Sequence, residues 1–371
     1  MKTNVWMGSL WALGLLACGE PKGYVIQGEV TGFPDSTEIY AISERGLDTI
    51  KVVGGHFRME GTFPEEPAHV QLMTKVNQQM KIMSVLMGNE QVEISGDLSE
   101  FPRQMKVSGS KYQQQWEDYA QQTLPYDLQY DSLRDRYVIL QRTDPKGEDI
   151  QKTREQFTLL RQKIDSMQKA YLFMHPDTYP SLIYLRSHVF DYPQDTVRML
   201  FDRVSPKLQA SSWAKFIQTY LDSKLLSIGD PFWDFAAEDQ NGNRVRLSDF
   251  VGKDGKYLLL DFTLMGCMPC RIAEKEMRPM VEAYSDSLRI VSFWLGGSRA
   301  SWLESPQKDS LYWTNLWAPE HAEGGGVMIP YQLRGFPTFF VIDPQGVIIQ
   351  KWSGYRTGIF EEQIGRLKNK E

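Results

Sequence analysis

Two cysteines, Cys267 and Cys270, stand three positions apart at the end of an apolar run, and this arrangement constrains the fold more than any other feature. The run, residues 257–262, has the length and composition of a buried strand, and the residues after Cys270 suit a helix as far as about Tyr284. A cysteine at such a junction faces the positive end of the helix dipole, which lowers the pKa of its thiol. The sequence therefore predicts an α/β domain with a reactive thiol pair between a strand and a helix.

The two thiols are expected to have different roles. Cys267, at the start of the helix, would be exposed and partly ionised, so we predict that it attacks a disulfide. Cys270, one turn further on and deeper, would resolve the mixed disulfide. Met268 and Pro269 lie between the two cysteines and are candidate substrate contacts.

The region 228–371 contains the other elements of an α/β domain. Asp239 to Asn243 is typical of a hairpin turn, and an apolar run at 288–295 predicts a second long strand. Residues 339–350 predict a further hairpin around an Asp-Pro-Gln-Gly turn, and a last helix is predicted at 358–369. This order of strand, helix, strand, hairpin and helix predicts one domain.

The preceding chain divides into two regions of different pattern. Residues 23–110 alternate short β-type runs with glycine-containing turns, which predicts an all-β, sandwich-like domain. Residues 111–227 are predicted to be a helical linker region, with an apolar stripe at helical spacing between about 148 and 173. We interpret this stripe as packing between neighbouring helices. Further helices are predicted at 112–122, 180–190, 195–204 and 211–226.

The first residues have the pattern of an export signal. A single basic residue precedes a mostly apolar stretch from Val5 to Ala17, which is too short to span a bilayer comfortably. The stretch ends in Leu-Leu-Ala-Cys at 15–18, which resembles a bacterial lipobox. The resemblance implies that residues 1–17 are a cleaved signal peptide and that Cys18 carries a lipid. The alternative is an uncleaved anchor with an incidental cysteine.

Lipidation of Cys18 would determine where the protein resides. Residues 18–22 would form a lipid-attached N-terminus and linker, and the acyl chains would hold the protein at the periplasmic face of the cell envelope. Gly19 stands where an aspartate would retain the protein at the inner membrane, so we expect attachment to the outer membrane. Only Cys267 and Cys270 would then remain as free thiols, which favours a pair that serves chemistry.

The charge of the chain excludes one class of partner. The formal net charge is −6, and no run of Lys or Arg provides a local attraction for phosphate backbones. We therefore expect no nucleic acid partner, and we expect no bound cofactor.

The motifs of residues 228–371, taken together, resemble the TlpA-like or ResA-like branch of thioredoxins, which are membrane-tethered thiol–disulfide oxidoreductases. The resemblance rests on the Cys-Met-Pro-Cys motif after a strand and on Gly-Phe-Pro-Thr at 335–338 before an apolar strand. It implies that Asp261 is a buried acid that relays the proton of Cys270. It also implies that Pro337 is a cis-proline facing the cysteines, so that the backbone of Phe336 pairs with an extended substrate.

The chain departs from this family beside the first cysteine. Gly266 precedes the first cysteine where the family usually has tryptophan, so the substrate preference of the family cannot be carried over. The acidic residue that the family carries in the following helix aligns with either Glu274 or Glu276, and the sequence leaves this choice open.

The function that these features favour is reduction of disulfides in exported proteins, in cytochrome c maturation or envelope redox homeostasis. Its partners would be client proteins with disulfides and an upstream thiol–disulfide electron donor. Three alternatives remain open. A zinc site would use the cysteine pair, but His321 is the only histidine in the sequence of this domain. A peroxiredoxin-like antioxidant would need Thr263 beside its reactive cysteine. A binding or scaffolding lipoprotein would carry the cysteine pair as a structural disulfide.

Overall fold

The protein was analysed as a computed structural model, which describes residues 23–43, 46–76, 79–304, 313–317 and 326–365. The predicted signal peptide and Cys18 lie outside the described residues. The chain forms two compact units, Met1–His175 and Pro176–Glu371. Among the described residues, no helix has the length and apolar character needed to cross a membrane.

The first unit begins with a β sandwich, as the alternating pattern of residues 23–110 predicts. The first sheet has the order β4-β1-β7-β8 and the second the order β3-β2-β5-β6. Inward-facing side chains of both sheets form one apolar core, to which Ile26 and Val92 contribute from the first sheet and Val70 and Val85 from the second. The strands are β1 (Tyr24–Thr31), β2 (Glu38–Ser43), β3 (Gly46–Lys51), β4 (His56–Gly61), β5 (Ala68–Val76), β6 (Gln79–Met87), β7 (Gln91–Asp97) and β8 (Lys106–Ser108).

Two long helices, α1 (Gln113–Thr143) and α2 (Glu148–Met174), complete the first unit. The end of α2 before His175 agrees with the sequence, but the predicted helix 112–122 is wrong at its end, because α1 continues through Pro125. Proline removes one backbone hydrogen bond, and packing of the later turns compensates for that loss. Tyr130 and Tyr137 of α1 both contact the ring of Phe157 in α2, with centroids 5.0 and 5.8 Å apart.

The second unit begins with four short helices, α3 (Tyr179–Ser187), α4 (Gln194–Phe201), α5 (Pro206–Gln209) and α6 (Ser212–Asp222). The predicted helical region 111–227 is therefore divided between the two units, because its first two helices belong to the first unit. The helices predicted at 180–190, 195–204 and 211–226 exist, but each ends three or four residues earlier than predicted. Tyr220 of α6 is buried and donates its hydroxyl to the carbonyl of Tyr192 at 2.8 Å.

A seven-stranded sheet with helices on its faces forms the rest of the second unit, and this is the thioredoxin-like fold. Its strand order is β10-β9-β13-β12-β11-β14-β15. Strands β11, β12 and β13 are parallel to one another, β14 is antiparallel to β11, and β15 is antiparallel to β14. The strands are β9 (Ala236–Glu238), β10 (Arg244–Arg246), β11 (Tyr257–Leu264), β12 (Leu288–Leu295), β13 (Thr314–Trp317), β14 (Thr338–Ile342) and β15 (Ile348–Ser353). The helices are α7 (Met268–Ala283), α8 (Arg299–Leu303) and α9 (Ile359–Ile364).

The central strand β11 positions the cysteine motif. It lies between β12 and β14 and leads into α7, which packs Met277 against Leu259 and Phe339 on one face of the sheet. The opposite face buries a separate aromatic cluster that includes Phe262 and Phe340. The sequence predicted all of these elements except β13 and α8. The predicted end of the last helix, beyond residue 365, lies outside the described residues.

Candidate active site

The cysteines form a disulfide at the first turn of α7, with their Cα atoms 5.3 Å apart. Cys267 is the N-cap residue of the helix, and its sulfur accepts a hydrogen bond from the backbone N–H of Cys270 at 3.2 Å. Cys270 is buried, whereas Cys267 is half-buried and Met268 is exposed. The exposure of the two sulfurs therefore follows the order that the sequence predicts. Pro269 lies in the first turn, where its missing N–H costs no helical hydrogen bond.

The turn before the cysteines requires a glycine. Gly266 has a φ of +75°, in the left-handed region that glycine adopts without steric cost. A Cβ atom added there would have no heavy atom within 4 Å among the described residues. The preceding Met265 packs instead against a buried cluster of Trp294, Trp302 and Trp317. Beside Cys267 the described part of the chain thus leaves an open approach where the family usually places an indole ring.

The loop before β14 lies directly against the outer sulfur. The Phe336–Pro337 peptide bond is cis, and the carbonyl oxygen of Phe336 lies 3.8 Å from Sγ of Cys267. The loop is held by the residue that follows β15, because the N–H of Gly354 donates to the carbonyl of Pro337 at 2.8 Å. Pro337 is buried and Phe336 half-buried. The structure therefore brings together the two elements that the sequence placed 67 to 70 positions apart.

Asp261 lies on β11 and is buried, as the resemblance implied. Its Oδ2 accepts a hydrogen bond from the hydroxyl of Ser292 at 2.6 Å, and that hydroxyl in turn accepts one from Nε1 of Trp313 at 2.8 Å. Burial raises the pKa of Asp261 to about 7; the Ser292 bond opposes this shift and the charge of Glu274 adds to it. A carboxyl group with this pKa can accept and return a proton near neutral pH.

The structure distinguishes the two acidic residues of α7 that the sequence left open. Glu274 is buried, and its charge acts on Asp261. Glu276 instead accepts hydrogen bonds from the Tyr355 hydroxyl at 2.7 Å and from the backbone N–H of Gly358 at 3.0 Å, which ties α7 to the start of α9. Helical spacing could have favoured Glu274, since it lies four residues after Cys270 and shares its face of the helix.

The helix surface beside Cys267 is apolar. Met268 is 59% exposed and Ile272, four residues later on the same face, is 43% exposed. Exposed apolar side chains grouped next to a reactive group are typical of a surface that binds a partner. Met268 was a sequence candidate for this role, whereas Ile272 was missed because the helical pattern alone does not show which side chains remain uncovered.

The described residues do not favour a peroxidase or a metal site. Thr263, which a peroxidase would need beside its cysteine, is fully buried in β11, and Cys267 is already bonded to Cys270. Within the described ranges, no three His, Cys, Asp or Glu side chains are grouped so that they could hold a metal ion. His321 lies outside those ranges.

Comparison with known families matches the two folded domains separately. Residues 24–116 match a domain of unknown function, DUF4369, and residues 228–351 match the AhpC/TSA family. The first match covers the sandwich with the start of α1, and the second covers the sheet that carries the cysteines.

Curated relatives share the second region. The thiol-disulfide oxidoreductase ResA of Bacillus thuringiensis subsp. konkukian is 30% identical over 137 residues, which are 36% of this chain and 73% of that protein. The thioredoxin-like protein YneN of Bacillus subtilis is 26% identical over 132 residues, which are 35% of this chain and 75% of that protein. A solved thioredoxin domain of a thiol-disulfide oxidoreductase from Bacteroides vulgatus is 25% identical, with a TM-score of 0.34 over 39% of this chain and 97% of that domain.

Proposed function

Because the chain belongs to the ResA family of thiol-disulfide oxidoreductases, we propose that its Cys267–Cys270 pair reduces disulfides in exported proteins. The observation that carries this proposal is the difference between the two sulfurs. That of Cys267 is half-exposed beside the carbonyl of Phe336, and that of Cys270 is buried behind it. Two-step exchange requires one sulfur that a partner can reach and a second that is held for the resolving step.

The reaction starts from the dithiol form. The Cys267 thiolate attacks one sulfur of the client disulfide, which forms a mixed disulfide and releases the first client thiolate. Cys270 then gives its proton to Asp261 and attacks Sγ of Cys267, which releases the second client thiolate and forms the Cys267–Cys270 disulfide. Two electrons have passed to the client, whose thiolates take up protons from water. An upstream dithiol donor must then reduce the enzyme disulfide.

The environment of Asp261 supports its role as the proton acceptor. Burial and the charge of Glu274 bring the pKa of its carboxyl to about 7 against the opposing effect of the Ser292 hydrogen bond, so a proton can be taken up and released near neutral pH. A carboxylate with an ordinary pKa would be a much weaker base for a thiol.

The surface around Cys267 supports a protein client. An extended client segment would pair with the backbone of Phe336 and cover the exposed side chains of Met268, Pro269 and Ile272. The clients would be exported proteins that carry unwanted or transient disulfides, with c-type cytochromes before haem attachment among them. Lipidation at Cys18 would hold the enzyme at the periplasmic face of the outer membrane, where such proteins pass.

A trapping experiment tests the exchange step. Cys270→Ser removes the resolving thiol, so we expect mixed disulfides with client proteins to accumulate in envelope extracts and to disappear on reduction. The matched control, Cys267→Ser with Cys270 retained, should trap little because the remaining sulfur is buried. Absence of trapped partners, together with failure of the wild-type protein to reduce insulin, would contradict the proposal and favour a structural disulfide.

The direction of exchange is tested by the reduction potential of the pair. A reductase should equilibrate with glutathione at a potential below about −200 mV, whereas a strong oxidant lies near about −120 mV. A reduction potential close to that of a strong oxidant would show that the protein introduces disulfides.

The location is tested by labelling with radioactive palmitate. We expect the wild-type protein to incorporate label and to fractionate with the outer membrane, and Cys18→Ser to do neither. Equal labelling of both proteins would contradict the lipid anchor.

A further inference from the structure

A single arginine ties the cis-proline loop to the helices at the start of the second unit. Arg334 stands two residues before Phe336, and its guanidinium donates to the Asp191 carboxylate at 2.6 Å and to the carbonyl of Phe190. Both ionic side chains remain about half exposed, at 54% for Arg334 and 51% for Asp191. An ion pair exposed to this degree is worth little, so another carboxylate can take the place of Asp191.

Arg334 forms one wall of an open cleft of about 400 Å³. Other lining residues come from α3 and α6, where the guanidinium of Arg186 lies 5.6 Å from the ring centre of Phe216. Met328 and Leu333 contribute apolar side chains to the same cleft. The cleft therefore combines apolar side chains with two guanidinium groups, which suits an anionic group carried on a longer apolar stem.

One residue of the cleft, Arg334, is close along the chain to the loop that faces the reacting sulfur. Two residues of chain span at most about 7 Å, so the Cα of Arg334 lies no further than that from the Cα of Phe336. The carbonyl of Phe336 in turn lies 3.8 Å from Sγ of Cys267. A client segment whose cysteine reacts with Cys267 while its backbone follows this loop would bring a residue two or three positions from that cysteine to Arg334.

The charges around the cleft favour an acidic client. Lys351 lies close enough to Arg334 for repulsion between them to lower its pKa, in addition to a larger lowering by burial. Two of the residues that line the cleft, Arg186 and Arg334, are cations, and Asp191, which is bound to Arg334, is the acidic residue among them. This local excess of positive charge is notable in a chain whose formal net charge is −6.

We propose that the cleft between Arg186 and Arg334 is a client subsite, in which an Asp or Glu two or three residues from the client cysteine displaces Asp191 from Arg334. This inference rests on the proposed exchange function and adds the class of client: polypeptides with an acidic residue beside the reacting cysteine. The helices before the sheet then help to select substrate, in addition to supporting the loop.

Matched peptides test the subsite. Each carries one cysteine as a mixed disulfide with thionitrobenzoate, and has Glu, Gln or Lys two or three positions away. Release of thionitrobenzoate by the reduced wild-type protein should be about fivefold to tenfold faster in kcat/KM for Glu than for Lys. Arg334→Gln and Arg186→Gln should each remove most of this preference. The control Arg356→Gln, which alters an exposed pair with Glu362 elsewhere in the unit, should keep it.

Asp191→Asn separates recognition from simple support of the loop. If Arg334 binds the client carboxylate, removing its competitor should increase the preference for Glu. If Arg334 only holds the loop, Asp191→Asn and Arg334→Gln should slow all peptides alike, and that result would overturn the subsite. A wild-type protein without preference would overturn it too, provided that hydroxyethyl disulfide is still reduced. Failure to reduce hydroxyethyl disulfide would overturn the exchange function and the subsite together.

Discussion

The two units of the chain bury charge in different ways. In the first unit, the buried amine of Lys81 donates to the Asp135 carboxylate at 2.8 Å, so its charge has an opposite partner. In the second unit, Asp261 is buried beside the hydroxyl of Ser292 and near a second carboxylate, Glu274. A buried charge with an opposite partner stabilises one arrangement of the chain, whereas a carboxyl group buried among neutral and like-charged groups holds its proton near neutral pH. The difference separates a structural unit from a reactive one.

The sharpest test of this contrast is at the outer sulfur. Cys267→Ser removes the attacking thiol, so we expect insulin reduction to fall by about 10³-fold or more. Removal of the Asp135 carboxylate in the first unit should leave the rate per folded molecule within about twofold, because the reaction uses none of its groups. Substantial activity in the Cys267→Ser variant, or its loss in an Asp135→Ala variant that remains folded, would break the comparison.

The second effect is a pH dependence of stability that comes from Asp261. Its pKa is about 7 in the folded protein against 3.8 as the ordinary value. The folded form therefore holds a proton that the unfolded chain has lost between these pH values, and stability falls as pH rises through this range. Asp261→Asn removes this loss, so we expect its free energy of unfolding at pH 8 to exceed that of wild type by about 2–4 kcal/mol.

Urea unfolding between about pH 4 and pH 8 measures this effect, with Asp286→Asn as the control because Asp286 is exposed. If the free energy of unfolding of wild type and of Asp261→Asn changed with pH in the same way, the Asp261 carboxyl would have an ordinary pKa in the folded protein. The contrast between the two units would then disappear.

A smaller loss of stability is expected from the ion pair of the first unit. Asp135→Ala leaves the Lys81 amine buried without its carboxylate, which should cost about 1–3 kcal/mol in the free energy of unfolding. Asp118→Ala on the same helix removes an exposed carboxylate and should cost less than about 0.5 kcal/mol. Equal costs for the two variants would show that the Lys81 pair is an ordinary surface contact.

The smallest effect is expected at Glu274. Its charge contributes to the raised pKa of Asp261 after the larger effect of burial, so Glu274→Gln should lower that pKa from about 7 toward its ordinary value. The change can be followed by NMR of the Asp261 carboxyl carbon. Glu282→Gln, at an exposed position of α7, should leave the titration unchanged. A pKa that stays the same in Glu274→Gln would leave burial as the whole cause.

Local pattern was sufficient for the parts of the site that a short stretch of chain determines. The cysteine motif follows β11 because an apolar run ends there. The cis peptide at Pro337 was instead implied by the resemblance of Gly-Phe-Pro-Thr to the thioredoxin family. The burial of Asp261 was likewise implied by the resemblance.

Other features depend on contacts between residues far apart in the chain, and the sequence alone did not show them. The continuation of α1 past Pro125 depends on packing against Phe157. The different roles of Glu274 and Glu276 depend on which of them accepts a hydrogen bond from Tyr355, which lies 79 positions after Glu276. The bond between Arg334 and Asp191 joins residues 143 positions apart and follows only from the folded unit. Periodicity describes one element at a time and contains no information on such pairs.

The central claim is that Asp261 accepts the proton of Cys270 in the resolving step, and the pH dependence of that step tests it most directly. In a single turnover at saturating client disulfide, release of the second client thiolate should rise with an inflection near pH 7 in the wild-type protein, where Asp261 loses its proton. In Asp261→Asn the step should be slower and its inflection should move to the ordinary thiol range, at about pH 8.5. The same rate and the same inflection in both proteins would contradict the account.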